Sequence, residues 1–366
     1  MPLELGSLRF YTGPTVLGGP DDLDAVIRDF IAGAKKSLFV AVQELDSRAI
    51  AEAILARKAD GVRVRVILEG DYLVEETPLA DPWALLGGNE GNRTIHAALL
   101  RAGVDVISDL NPEIFHQKFI VRDPLSATAA VLTGSANFTL TDTGTNTATR
   151  GLVRGNNLNH LVVLAGKSAA GQYMAEFDRL RSGTFGALHE RVEPKPEEFR
   201  LAKMRVKPLF APRHGPEMEI MKQMLKATAS IDFAMFTFAR SSGIDDTMLR
   251  LKPTIPRIRG VLDRTQGAQA WAATNPLKAA GVELHRNKTG VGVRKVHHKL
   301  MVIDERLTIA GSFNYTEPAT TLNDENIVVL GDLEETNADA EVAQRQVAAY
   351  ALTENERIIV DLAEPI

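Results

Sequence analysis

The chain repeats itself, and that constrains its fold more than any other feature. Six segments occur twice in the same order. The first set is AKKSLFVAVQEL, GVRVRVILEG, LLRAGVDVISD, FHQKFIVRD, LTGSANFT and NLNHLVVL. The second is ATASIDFAMFTF, RIRGVLDRTQ, LKAAGVELHRN, VHHKLMVIDE, IAGSFNYT and NDENIVVL. A repeat of this length means two copies of one supersecondary unit packed together. The apolar runs are short and rich in Val and Ile, and longer helical patterns separate them, which predicts α/β halves. Leu23, Val26, Ile27, Phe30 and Ile31 recur at helical spacing and predict a helix over 22–34. Each half should end in a helix, near 169–180 and 337–350. The join is placed at 182–205, where Glu193-Pro194-Lys195-Pro196 disfavours regular structure. The expected halves are 1–195 and 205–366, related by a pseudo-twofold axis.

Within the repeat lies a chemical pattern. His116-Gln117-Lys118 is followed by Asp123, then by Gly134-Ser135-Ala136-Asn137. His297-His298-Lys299 is followed at the same interval by Asp304, then by Gly311-Ser312-Phe313-Asn314. Residues two apart on a strand share a face, so His and Lys should project together, as should Ser and Asn. Imidazole is a nucleophile or acid-base group near neutral pH. Lysine supplies positive charge for phosphate oxygens, with asparagine and serine as neutral donors. A His–Lys pair is costly to bury without purpose. His298, between such residues, should face away as a bystander.

These motifs resemble the phospholipase D superfamily, whose signature is HxKx4D followed by GSxN, present here twice. The resemblance covers roughly residues 20–350. It implies two phospholipase D-like α/β/α halves, each a mixed sheet flanked by helices. It also implies a metal-independent phosphodiesterase working through a phosphohistidine, with no cofactor, no metal and no dimer required. On this reading His116, Lys118, Asn137, His297, Lys299, Asn314 and Glu325 are catalytic. Asp123, Ser135, Asn159, Asp304 and Ser312 support them, the aspartates as braces at strand ends and the serines as secondary phosphate donors. Aligning NDENIVVL with NNLNHLVVL sets Glu325 opposite Asn159. A Glu here often orients the histidine of its own half in the family, so Glu325 is expected to hold His297 as general acid. His116 is then the nucleophile, an order also seen in the similar tyrosyl-DNA phosphodiesterases.

The net charge of −5 argues against indiscriminate nucleic-acid coating, so phosphate affinity must be local. One basic stretch, Arg286 to Lys299, runs into the second motif and contains Arg294 and Lys295. Asn137 and Asn159 are twice as far apart as Asn314 and Glu325. The surplus in the first half is a Thr/Gly/Asn-rich loop carrying Arg150 and Arg154. Those four basic residues are candidate substrate contacts. They and the wording of FHQKFIVRD and FAMFTF, which resembles bacterial endonuclease-like members, favour nucleic acid as substrate. Phospholipid is the alternative, because an insertion at 71–93 with Leu79, Trp83, Leu85 and Leu86 can meet a membrane surface, act as a lid or pack in the core. Cysteine is absent, no stretch is long enough for an integral membrane segment, and the N-terminus lacks a secretory pattern. A cytoplasmic protein is therefore expected.

Overall fold

The computed structural model describes residues 2–147, 155–188 and 194–366. Each half builds a mixed sheet of the same topology. In the first, the strands run in the order Leu3–Leu5, Leu8–Gly13, Asn156–Ala165, Ala130–Gly134, Lys118–Arg122, Ser37–Val42, Arg63–Leu68 and Asp105–Ser108. In the second, the corresponding order is Phe199–Leu201, Met204–Ala211, Glu325–Leu330, Leu307–Gly311, Lys299–Ile303, Ser230–Met235, Arg257–Leu262 and Glu283–Asn287, closed by Ala363–Pro365. In both, the strands joined by crossover helices pair parallel and the hairpin-connected ones antiparallel.

The predicted helix near the start runs from Leu23 to Ala32, capped by the Asp22 side chain on Ala25 N, with Leu23, Ile27, Phe30 and Ile31 buried. The helices that end the halves are Lys167–Arg181 and Ala338–Arg357. Phe39, Phe119 and Val162 of the first sheet form one apolar cluster with Val302, Val328 and Leu330 of the second. Tyr173 and Phe177 of one long helix and Val347 and Ala351 of the other belong to that same cluster. Two further clusters line the outer faces under the shorter helices. The protein is thus layered helix, sheet, helix pair, sheet, helix.

Polar contacts repeat across the central seam in two chemical versions. Gln117 Nε2 donates to Glu176 Oε1 (3.2 Å), and Asn326 Nδ2 donates to Gln117 Oε1 (2.8 Å). In the other copy, His298 meets Glu354 Oε1 through Nε2 (3.2 Å) and His160 through Nδ1 (3.1 Å), and Gly311 N donates to His160 Nε2 (3.1 Å). That last bond makes His160 Nε2 an acceptor, so His160 donates from Nδ1 and His298 donates to Glu354. His298 does face away from the cavity, yet it is a buried link between the halves, not a bystander.

The two motif aspartates end their strands. Asp123 and Asp304 lie in the left-handed region, at φ 48° and 54°. Asp123 accepts from the backbone N–H groups of Lys35 (2.9 Å), Lys36 (2.6 Å) and Ser37 (2.9 Å). Asp304 does the same for Thr228, Ala229 and Ser230, each at 2.8 Å. These donors hold both carboxyls below the usual range against the opposing effect of burial. The His-Lys pair sits at the other end of the same strand, so these aspartates are braces well away from it. Replacing Asp304 with Ala should lower the unfolding free energy by about 2–4 kcal/mol. Because the folded pKa is depressed, the part of that difference due to ionisation should be full above about pH 5 and be lost as pH falls through the folded pKa. Urea titrations at several pH values measure it.

Candidate active site

The entrance to each His-x-Lys strand hydrogen-bonds to the other half. His116 N donates to Asp324 O (2.9 Å) and Asp324 N to Ile114 O (3.1 Å). Val293–Val296 pairs parallel with Asn156–Leu158, and His297 N donates to Leu158 O (3.0 Å). Each histidine therefore lies beside the residue that follows its bonding partner on the opposite half's strand. His116 Nδ1 is 2.7 Å from Glu325 Oε2, and His297 Nδ1 is 3.0 Å from Asn159 Oδ1. The expected pairing of Glu325 with His297 is overturned: the carboxylate serves His116, because the strand entrances exchange between halves.

The motif serines brace these partners. Ser135 Oγ donates to Asn159 Oδ1 (2.8 Å) and Ser312 Oγ to Glu325 Oε2 (2.7 Å), while each hydroxyl accepts from the next strand's backbone. Both are fully buried. They are not phosphate donors as expected, since the hydroxyl proton is already used. The glycines before them have a geometric reason. A Cβ on Gly134 would stand 2.2 Å from His160 O, and one on Gly311 would stand 2.3 Å from Asn326 O.

His116, His297, Asn137, Asn314, Arg294 and Lys295 line one cavity of about 620 Å³ between the halves. Gln43, Glu44, Tyr72, Phe236 and Trp271 complete much of its wall. Lys118 and Lys299 lie buried beneath the histidines. Lys118 Nζ donates to His116 O (2.8 Å) and Gln43 Oε1 (3.0 Å). Lys299 Nζ donates to His297 O (2.9 Å) and stands 5.0 Å from the centre of the Phe236 ring. Asn137 Oδ1 and Asn314 Oδ1 are buried without a hydrogen-bond partner; since an amide oxygen only accepts, a phosphate would meet each amide through Nδ2. Arg150 and Arg154 lie outside the described residues. Among the described residues, no group of three or more histidines and carboxylates is arranged to hold a metal ion.

Burial dominates the electrostatics. It lowers Lys118 to about 7 and Lys299 well below its ordinary value, with Lys118 adding to the latter. It also lowers both histidines far below 6.5, helped by the lysines. Burial raises Glu325 to about 8, opposed by Lys118 and by the Ser312 hydroxyl. Ser312 Oγ donates to the same Glu325 oxygen that meets His116 Nδ1. A neutral imidazole that donates from Nδ1 to this oxygen keeps its Nε2 lone pair for the cavity. Glu44, which no motif marks, is pushed to about 7 by burial and the nearby Asp142 and Asp46.

Residues from both copies of the signature line this one cavity. The profile of the family described as cardiolipin synthase, PLD-like domain, matches residues 27–181 and 220–345, well over half of the chain. The chain belongs to the phospholipase D superfamily. A mitochondrial cardiolipin hydrolase of Chlamydomonas reinhardtii is 35% identical over 29% of this chain and 46% of its own length. A phospholipase D of Rickettsia felis is 29% identical over 38% of this chain and 70% of its own. The chain spans about half the length of the cardiolipin hydrolases it matches. A phosphatidylserine synthase from Haemophilus influenzae shares the fold, with TM-score 0.66 at 13% identity, over 100% of this chain and 88% of that one. A polyphosphate kinase from Porphyromonas gingivalis gives TM-score 0.62 at 11% identity, over 98% of this chain and 48% of that one.

An anion in this superfamily cavity should restore the lysine protons that burial removes. Lys118 loses its charge as pH rises through about 7, so anion affinity should fall across that range. Dimethyl phosphate keeps one charge throughout. It should raise Tm by a few degrees at pH 6 and by much less at pH 8.5, as read by calorimetry.

Proposed function

We propose that the protein is a phosphodiesterase acting on phospholipids, with His116 as nucleophile and His297 as general acid. The observation that carries the chemistry is the convergence of both histidines and both motif asparagines on one cavity. His116 Nε2 attacks phosphorus in line, and the P–O bond to the leaving group breaks as His297 Nε2–H protonates that oxygen. Glu325 stabilises the positive charge that grows on the His116 ring. Lys118 and Lys299 supply positive charge for the non-bridging oxygens, and the Asn137 and Asn314 amides donate hydrogen bonds to them. In the second step His297 takes a proton from water, the hydroxide attacks phosphorus, and the P–N bond breaks. Both motifs come from one chain, so a monomer suffices.

Lipid is supported over nucleic acid by the relatives and by a surface beside the cavity. The sequence-level preference for nucleic acid finds no support in those relatives. Near the start of the segment at 71–93, Tyr72 lines both the main cavity and an adjoining one of about 440 Å³. Its base is tied down by Glu75, which accepts from Gly88 N and Asn89 N and pairs with Arg93 at 2.7 Å. Its tip exposes Trp83, Leu85 and Leu86, so core packing is not its role. Exposed apolar side chains grouped on one segment suit a lipid surface. No helix among the described residues is long and apolar enough to cross a membrane.

Phosphatidylcholine, cardiolipin, single- and double-stranded DNA and RNA, each offered with a chelator, separate the readings. Lipid hydrolysis is expected, and cleavage of nucleic acid with lipids untouched would overturn the proposal. With substrate present, an alkaline or detergent quench, which spares the acid-labile P–N bond, should trap the phosphoryl intermediate on His116. His116→Ala should abolish it and lower kcat by about 10³-fold or more. A label mapped to His297 would reverse the assigned roles.

A further inference from the structure

The two halves hold their histidines by unlike means. On the second half's strand, position 325 is a glutamate that faces His116 directly. Its counterpart on the first half is Asn159, an amide facing His297. An amide carries no charge to balance an imidazolium, and unaided it can turn either face to the ring. Both deficits are met by Asp142. This residue lies on the short helix Leu140–Thr143, as far beyond Gly134 as Ala319 lies beyond Gly311. The second half therefore has a carboxylate on its strand and an alanine on this helix, and the first half has the reverse.

Asp142 is buried, and its oxygens are committed. Oδ2 accepts from Asn137 N (3.0 Å), and Oδ1 accepts from Asn159 Nδ2 (3.0 Å) and Asn157 Nδ2 (2.5 Å). The Asp142 carbonyl takes a second bond from Asn159 Nδ2 (3.2 Å). With its NH₂ group facing two acceptors, Asn159 must present Oδ1 to Ser135 and His297. That makes His297 Nδ1 the donor and leaves Nε2 to the cavity. Asp142 Oδ1 is itself only 3.5 Å from His297 Nδ1.

We infer that Asp142 is a positioning residue for His297: a carboxylate moved from strand to helix, which orients the imidazole through Asn159 and balances its charge when protonated. The charged groups around the pair are Lys118, Lys295, Lys299 and His116 on the His297 side, with Glu44, Asp46 and Arg294 near Asp142. With so many cations about it, His297 needs a local anion to serve as an acid. Asp142 also ties the Asn137 backbone to the same carboxylate, so one side chain sets two members of the site.

This inference rests on His297 acting as an acid in the proposed reaction, and the internal repeat supplies its test. Activity on ethyl phenyl phosphate, whose phenolate leaves poorly without a proton, avoids the choice between lipid and nucleic acid. Asp142→Asn should lower kcat by about 10²-fold with KM changed less than about threefold, and should shift the alkaline limb of the rate profile to lower pH. The double variant Asp142→Ala, Asn159→Glu copies the second half's arrangement and should recover kcat to within about tenfold of the parent. Nitrogen NMR of the His297 ring should report Nδ1–H in the parent and a mixture of tautomers in Asp142→Asn. A parental kcat, pH profile and ring spectrum in Asp142→Asn would overturn the inference, as would a double variant that folds and is no better than Asp142→Ala alone. If the parent hydrolyses no diester, the proposed function fails, and the ring spectra still decide whether Asp142 positions His297.

Discussion

Two short exchanges of backbone hydrogen bonds between the halves make the site. Ile114 and His116 bond to Asp324, and Val296 and His297 run beside Leu158. Each exchange carries a histidine out of its own sheet and sets it against the other half's strand. Everything polar in the site follows from that crossing. Glu325 and Asn159 become partners of the distant histidine, Ser312 and Ser135 brace those partners, and the bare glycine backbones let the strands close to the needed distance. Each histidine thus has its partner only when two such halves are packed together.

The crossing also buries charge at high density. Two lysines and two histidines share a small volume, and burial lowers the proton affinity of all four. An anion in the cavity would favour the charged form of the lysines. The large apolar cluster shared by both sheets and both long helices holds the halves together. Around it the protein spends hydrogen-bond partners freely, as in the Gln117–Asn326 and His298–His160 links across the seam.

Much of this was legible in the sequence, because it depends on local rules. The repeat announces two α/β halves, and the period-two spacing of His with Lys and of Ser with Asn places each pair on one face. The strand-ending role of Asp123 and Asp304 follows the motif as well. The crossed pairing was not legible, since it depends on contacts between residues 209 and 138 positions apart that no spacing encodes. Glu325 was therefore assigned to the wrong histidine. Ser135 and Ser312 were misread for a related reason: from sequence a hydroxyl near a catalytic pair looks available, and only packing shows it already engaged. Asp142 was hidden in a threonine-rich stretch that reads as loop. The available signal was a balance of charge, an amide at 159 where the repeat has a carboxylate, and an aspartate at 142 where it has an alanine.

The central claim is that Glu325 serves the histidine of the opposite half. Double-mutant cycles on unfolding free energy test it directly, with His116→Ala or His297→Ala combined with Glu325→Gln. The crossed arrangement predicts a coupling of about 1–3 kcal/mol between positions 116 and 325, and less than about 0.5 kcal/mol between 297 and 325. The opposite pattern, with strong coupling to His297 and none to His116, would contradict it.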